Sequence, residues 1–335
     1  MPQDIPFSRL LLGSLLLATQ LACGSALAQS VQSTHELAPV NVEGRPYGEE
    51  LIGPYNQPRW SARGRFSADT DVYVLPPYAF YIDADYHGTF PRSGFPDHLF
   101  VQEFELGLPH RFQVAFEFYQ EAQNGQFQIP FVLFEGRYAL ADWGKIPLNP
   151  TILAEYSIGT GKQYPVQPGQ NKQSEAGDSE QSQGDAVGGV THEMKKNVPD
   201  AYEVRLLLGQ EIGKYIEAAG NIFLDQDLSG DREREIGFST ATSYAIRGEA
   251  LKIGLETNYR NVSQPGNRRN AQNIFELGPA FTVKPSPHTR IDVAPLFGTT
   301  SDSPHLELFA IFSIDFGTGA EQEVEGPAAR GGRFQ

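Results

Sequence analysis

The clearest pattern in the sequence is HLFVQEFELGLPHRFQVAFEFYQE, residues 98–121. From Phe112 to Phe118 the even positions hold only Phe or Val, and the odd positions between them hold Gln, Ala and Glu. Side chains of a β-strand point to opposite faces with a period of two, so this strand has one apolar and one polar face. Residues 107–110, GLPH, interrupt the alternation with turn-forming residues. The stretch therefore predicts two antiparallel strands joined by a tight turn.

Twelve segments of roughly ten residues repeat this alternation. They are residues 78–87, 98–108, 111–121, 130–141, 150–159, 200–212, 214–224, 233–246, 249–260, 272–284, 288–297 and 304–316. About nine to eleven residues of tilted strand cross a bilayer, whereas a soluble sandwich or lipocalin-like barrel uses strands of about five or six. We therefore expect an all-β protein, a transmembrane antiparallel β-barrel of about 12 strands, over residues 76–316.

The predicted connections alternate between short and long. Tight turns are expected at every second connection, near residues 107–110, 211–214, 247–249 and 284–287. The others are mostly longer: residues 88–97, 122–129, 160–199, 225–232, 261–271 and 298–303. Residues 142–149 are an exception, a longer connection among the short ones. Short periplasmic turns, long outer loops and both termini in the periplasm are typical of outer-membrane barrels, which this order favours.

The first residues have the features of a secretory signal peptide. Arg9 precedes an apolar run at residues 10–22, and Ala26-Leu27-Ala28 follows it. The run is too short to span a bilayer, and small residues at −3 and −1 mark a cleavage site. We expect removal of residues 1–28, with a membrane anchor or lipidation of Cys23 as the alternatives. Cleavage after Ala28 leaves a mature chain without cysteine, which excludes disulfides and thiolate chemistry.

Three segments outside the strands lack sustained alternation. Residues 29–75 should form a periplasmic extension or a partial plug, and residues 317–335 a flexible C-terminal tail. Residues 160–199 are rich in Gln, Gly, Ser and Asp and poor in aromatic residues. Such a segment cannot bury a core, so we expect a mobile extracellular loop there.

The chain is acidic, with a formal net charge of −15 and a pI near 4.9. Nucleic-acid binding needs clustered Lys and Arg to neutralise phosphates, so no nucleic-acid partner is expected. The mean hydropathy is −0.36, and no helix-length apolar run follows the leader. A membrane protein of this composition should be a barrel, in which only alternate residues face the lipid bilayer.

Charged residues at alternate strand positions should face the lumen, because Lys or Arg on the lipid face costs about 2–4 kcal/mol at the midplane. The lumen-lining candidates are Asp83, Asp85, Glu103, Glu105, Glu117, Glu135, Arg137, Glu155, Glu203, Arg205, Glu256, Arg260, Glu276 and Glu307. A selective pore with this excess of carboxylates would favour cations or neutral polar solutes over anions. In the alternative, the same groups form a partly neutralised network that fills a narrow barrel.

Three stretches resemble a loosely defined family of outer-membrane barrels. They are ELGLPHRF at residues 105–112, RYAL at 137–140 and PLFGTT at 295–300. Some members of that family are labelled as channels of the MetA pathway of phenol degradation. The resemblance covers about residues 75–316 and implies a transporter-like barrel, but it supplies no binding residues.

Two further resemblances imply partners. ELAPVNVEG, residues 36–44, is similar to the segment after the signal peptide in TonB-dependent receptors, where TonB docks by strand addition. The residues that would dock are Leu37, Pro39, Val40 and Val42. Those receptors have a globular plug and about 22 strands, for which this chain is too short. The final predicted strand, ending at Phe316, resembles the signal recognised by the barrel-assembly machinery, although further residues follow it here.

Three functional hypotheses follow. The first is a passive or facilitated outer-membrane channel or transporter-like barrel for small solutes, in a Gram-negative bacterium, with an acidic lumen and no enzymatic activity. The second is a closed structural or adhesion barrel that acts through its extracellular loops. The third is a membrane-embedded hydrolase that uses His98 or His305 with a serine such as Ser303, although no nucleophile motif supports it. No cofactor or metal is expected, since no histidines show metal-ligand spacing.

Overall fold

The alternating segments form strands in a computed structural model that describes residues 51–60, 72–165, 198–213 and 215–317, with only the backbone of residues 161–165. Two short strands come first, β1 (Leu51–Ile52) and β2 (Gln57–Pro58), and they pair with each other. The long strands are β3 (Phe80–Phe90), β4 (Asp97–Leu108), β5 (Phe112–Gln123), β6 (Gln126–Ala139), β7 (Thr151–Pro165), β8 (Ala201–Ile212), β9 (Ile216–Asp227), β10 (Arg234–Ala245), β11 (Leu251–Ser263), β12 (Gln272–Ser286), β13 (Thr289–Gly298) and β14 (Leu306–Asp315). A 3₁₀ turn spans Arg268–Asn270.

The twelve long strands close into one antiparallel barrel. Each pairs with its neighbours in sequence, and β14 pairs with β3, from Leu306 opposite Phe90 to Asp315 opposite Tyr81. A closed sheet satisfies its backbone donors and acceptors internally, which is the condition for crossing hydrocarbon. The predicted all-β barrel of twelve antiparallel strands is confirmed.

The two faces of the strands differ in polarity. On β8, Val204 is 46% exposed on the outer face, and the neighbouring Arg205 is only 5% exposed inside. Leu206, Ile222 and Phe238 continue the exposed apolar surface on β8, β9 and β10. An apolar exterior around a charged interior is the pattern of a barrel in lipid, and the chain is a transmembrane β-barrel. Among the described residues, no helix is both long and apolar enough to span a membrane.

The barrel has two distinct ends. We call the end where β3 begins and β14 finishes the turn end, and the opposite one the loop end. The turn end has short connections at residues 109–111 and 287–288, and the predicted exception is also there, as residues 140–150. One predicted loop is wrong, because residues 122–129 contain only a two-residue turn, Asn124-Gly125, at the loop end. Both turn residues have positive φ, 45° and 72°, which Asn-Gly favours in tight hairpins.

The predicted loop 160–199 also begins later than expected. Strand β7 continues to Pro165, because Gln126–Ile129 of β6 pair with Lys162–Pro165. Pro130 follows this paired stretch and coincides with a shift of register between Ile129 and Phe131. Residues 166–197 of the predicted loop lie outside the described residues, as do residues 1–50 with the predicted signal peptide.

Candidate functional site: the barrel lumen

The sequence-predicted lumen residues occupy inward positions of their strands. Nine of the fourteen line a single cavity of about 500 Å³ in the loop-end half of the barrel. These nine are Asp85, Glu103, Glu117, Glu135, Glu155, Glu203, Arg205, Arg260 and Glu307. The other five, Asp83, Glu105, Arg137, Glu256 and Glu276, are buried inside the barrel.

Five further carboxylates, which are not among the predicted lumen residues, also line the cavity. They are Asp97, Glu121, Asp225, Asp227 and Glu235. Most lie near strand ends. The predicted strand at residues 214–224 stops short of Asp225 and Asp227, whereas β9 continues to Asp227. Their signal in the sequence is that they keep the same odd-position phase as the other inward residues of their strands. The cavity lining therefore has twelve carboxylates and two arginines.

The carboxylates form rows across neighbouring strands. Glu135 is directly opposite Glu155, Glu155 opposite Glu203, Glu203 opposite Asp225, and Asp225 opposite Glu235. The row crosses five strands, from β6 to β10. Like charges directly opposite each other destabilise a strand pair. Strand pairing alone therefore does not explain this row. Positive charge in the lumen would stabilise it.

A second row of carboxylates lies close to Glu135 of the first row at the cavity wall. Asp83 is opposite Glu103, and Glu103 is opposite Glu117, on β3, β4 and β5. The carboxylate oxygens of Glu103, Glu117 and Glu135 lie within 4.8 Å of one another, and all three side chains are buried. Their spacing is suitable for sharing one metal ion. The sequence predicts no metal site, because its histidines lack metal-ligand spacing and these three carboxylates come from three separate strands.

Both arginines of the cavity are already paired with carboxylates. Arg205 Nε lies 2.5 Å from Glu203 Oε1. Arg260 Nη2 lies 2.6 Å from Glu307 Oε1 and 3.3 Å from Glu276 Oε2. These pairs neutralise part of the wall, in which twelve carboxylates face two arginines.

The chain before β3 enters the barrel at the turn end. We call residues 72–79 the strap; its side chains from Val72 to Leu75 are completely buried. The backbone N–H of Leu75 donates to Gln113 Oε1 at 2.7 Å, and Arg137 Nη1 donates to the carbonyl oxygen of Tyr73 at 3.1 Å. The Tyr73 hydroxyl donates to Ala141 O at 2.6 Å. Burial raises the pKa of Tyr73 well above its ordinary value, so this hydroxyl keeps its proton.

Apolar packing extends the strap across the lumen. Val72, Tyr73 and Val74 share one buried cluster with Tyr55 and with alanines of β6, β9 and β10. These wall residues are Ala139, Ala219 and Ala241. On the other side, the strap meets β4 where Tyr78 N donates to Gly107 O at 2.7 Å. Strands β4 and β10 are six positions apart in a ring of twelve, so the strap and its cluster reach across the barrel.

The β1–β2 hairpin region supports the strap from the turn end. Gln57 Nε2 donates to Val74 O at 3.2 Å, and Trp143 N donates to Tyr55 O at 3.1 Å. Arg59 forms a salt bridge with Asp315 at the end of β14. Residues 51–60 therefore contact both the strap and the barrel wall.

The serine and histidines considered for hydrolysis do not form a catalytic pair at Ser303. The Ser303 hydroxyl donates to Phe275 O at 3.1 Å and lies 2.6 Å from Thr300 Oγ1. His98 Nδ1 instead contacts the Tyr86 hydroxyl at 2.8 Å, and His305 is exposed. These contacts give Ser303 a structural role in the 299–305 connection.

Two segments predicted to bind partners have different positions. Leu37, Pro39, Val40 and Val42 lie outside the described residues. Phe316 directly follows β14, donates its N–H to Phe80 O at 3.1 Å and contacts the Phe80 ring. Of the predicted tail, residues 318–335 also lie outside the described part of the chain.

Comparison with protein-family models gives no match, and neither does comparison with curated protein sequences. Among solved structures, the chain is similar to the COG4313 outer membrane channel from Pseudomonas putida F1, with 11% identity, a TM-score of 0.45, and coverage of 73% of this chain and 98% of the other. It is also similar to KdgM porin, with 9% identity, a TM-score of 0.42, and coverage of 71% and 99%. The corresponding values for NanC porin are 13%, 0.40, 71% and 99%.

Proposed function

We propose that this chain is an outer-membrane channel for small solutes whose acidic lumen favours cations and neutral polar molecules over anions. The observation that carries the proposal is the cavity at the loop end, lined by twelve carboxylates and two arginines that are already paired. Charged walls select permeating ions by their sign, and a low-dielectric barrel strengthens that selection.

The fold supports a proposed location and orientation. A closed barrel with an apolar exterior is the form in which outer-membrane proteins of Gram-negative bacteria cross the bilayer. The turn end, with both ends of the strand series, would then face the periplasm, and the cavity would open towards the outside. Recognition of β14 and Phe316 by the barrel-assembly machinery, TonB docking at residues 36–44 and a place in the MetA group of barrels remain parts of this proposal.

The direct test is single-channel recording of the refolded protein in a planar bilayer under a KCl gradient. We expect discrete openings, however rare, with a reversal potential on the cation side. Openings that favour anions would contradict the acidic channel. Absence of openings from both the wild-type protein and a folded variant in which the strap is displaced would contradict any channel.

A charge-matched pair of variants links the selectivity to the cavity. Glu155→Gln removes one carboxylate from the cavity wall without changing the shape of the side chain. Asp231→Asn makes the same change of charge in the exposed 228–233 connection at the loop end. We expect the cation preference to fall in the first variant and to change less in the second. An equal fall in both would assign the selectivity to the loop surface.

The second hypothesis, a closed structural barrel, has one specific observation in its favour. The strap and its apolar cluster reach across the lumen at the turn end. A permanently closed barrel would show no solute flux, even when the strap is displaced. Recordings on variants in which the strap is displaced therefore separate the two hypotheses.

A further inference from the structure

The strap is held inside the barrel without belonging to its sheet. The pairing of β3 with β4 begins at Phe80 opposite Leu106, so the strap precedes the first strand pair. The strap is bonded by a few groups, among them the side chains of Gln113 and Arg137 and the backbone of Gly107. A strand of the same length within the sheet would have a ladder of backbone bonds on both sides.

Two glycines of the inner wall make room for the strap. A Cβ at Gly107 would lie 1.9 Å from the carbonyl oxygen of Pro76, and a Cβ at Gly209 would lie 2.7 Å from Cβ of Val72. Both distances are shorter than non-bonded carbon contacts allow. Neither glycine has a positive φ. Close approach of the strap, and not backbone conformation, therefore requires glycine at these two positions.

The strap is seated below the cavity. No strap residue lines the cavity, and Arg137 connects the strap to the cavity wall. Its Nη1 donates to Tyr73 O, and its Nη2 lies 2.7 Å from Glu135 Oε2 in the cavity wall. The cavity and the strap thus occupy successive levels along the barrel, with the strap between the cavity and the turn end.

We propose that the strap is a displaceable gate, which closes the turn end of the pore while it lies against Gly107 and Gly209 and opens the pore when it leaves them. This inference rests on the proposed channel function. Gln113 and Arg137 hold the gate in place through its backbone. Because the first strand pair begins at Phe80, residues 72–77 can leave without opening any strand pair.

The test fills the seat with a side chain. Gly107→Val and Gly209→Val put a branched side chain where the strap packs, and Gly136→Val is the control, because a Cβ there meets only Phe112 at 3.6 Å. Single-channel recording should show the open probability of the first two variants rising by about tenfold or more over wild type, the size expected when an overpacked contact is expelled. The control should match wild type. Heat-modifiable gel mobility verifies that each barrel is folded.

A thiol measurement reads the position of the strap independently of conductance. Val74→Cys, combined with Cys23→Ser, places a single thiol on the buried strap. A water-soluble maleimide should label it slowly in the otherwise wild-type barrel and rapidly once Gly209→Val is added. Gln113→Ala should also speed labelling, because it removes the acceptor of the Leu75 N–H.

The outcomes separate the gate from the channel. Equal open probability and equal labelling in wild type and seat variants would overturn the gate and leave the channel intact. Fast labelling with no openings in any folded variant would overturn both, since the strap would leave without opening a path. Raised open probability together with raised labelling supports both.

Discussion

Arg137 links two buried carboxylates of the barrel wall to the strap. Its side chain is fully buried and lies 2.7 Å from Glu135 Oε2 and 3.9 Å from Glu105 Oε1. It also donates to the strap at Tyr73 O. Removing one partner from a buried ion pair leaves an uncompensated charge, which costs far more than the pair itself contributes.

Arg137→Met should therefore destabilise the folded barrel by about 3 kcal/mol or more. Urea unfolding of the refolded protein in lipid vesicles measures this change. The matched control is Arg111→Met, which breaks a half-exposed pair with Asp142 and should cost less than about 1 kcal/mol. Adding Glu135→Gln to Arg137→Met should restore part of the loss. Equal effects at the two arginines would show that burial of Arg137 has no energetic weight.

At the level of the strand, the two faces are matched to different environments. Ile222 lies in the middle of β9 and is 57% exposed on the outer face, and Ile212 ends β8 on the same face. A strand in lipid should tolerate charge poorly at its centre and better at its ends, because a charge at the bilayer midplane is farthest from water. A strand in water would show no such dependence on position.

Arginine substitutions test this dependence. We expect Ile222→Arg to cost about 2–4 kcal/mol of folding free energy in vesicles and Ile212→Arg about 0–1 kcal/mol. Alanine at the same two positions provides the control for lost apolar area. A similar cost for both arginines would argue against membrane depth as the cause.

The strands could be predicted from sequence because their signal is local. Each has a period of two over about ten residues, and this phase also placed Glu103, Glu203 and Glu276 inside. Asn124-Gly125 is a strong hairpin signal, but the polar residues on both sides of it resemble a longer loop in the sequence. Most of the strap gives no signal of this kind, since residues 72–77 neither alternate nor show a turn that reveals their contacts. Its partners, such as Gln113 and Gly209, are far away in sequence, so only the closed barrel brings them together.

For the whole molecule, the dominant property is the excess of negative charge in a confined space. The cavity carboxylates come from nine of the twelve strands and all face the same volume. Their combined field should exceed that of any single residue, because clefts with walls of low dielectric concentrate it. Selectivity should therefore respond to ionic strength more than to the loss of one side chain.

Raising the salt should weaken the cation preference. The Debye length falls from about 10 Å at 0.1 M to about 3 Å at 1 M, so the field of the wall reaches less far into the lumen. Reversal potentials measured with the same KCl ratio at low and high total salt should show a smaller preference at high salt. A preference that does not change with salt would instead indicate tight sites that hold their ions at every concentration.

The pairing of β14 with β3 sets the order in which the protein can be assembled. Tyr81 and Asp315 are opposite each other in the barrel, yet almost the entire strand series separates them in the chain. Contacts this distant form late and slowly, because the loop between them must be ordered first. Until β14 arrives, both β13 and β3 carry a free edge that can pair with another chain. A chain that ends early would therefore be more than inactive, since it would expose two adhesive edges with no strand of its own to cover them.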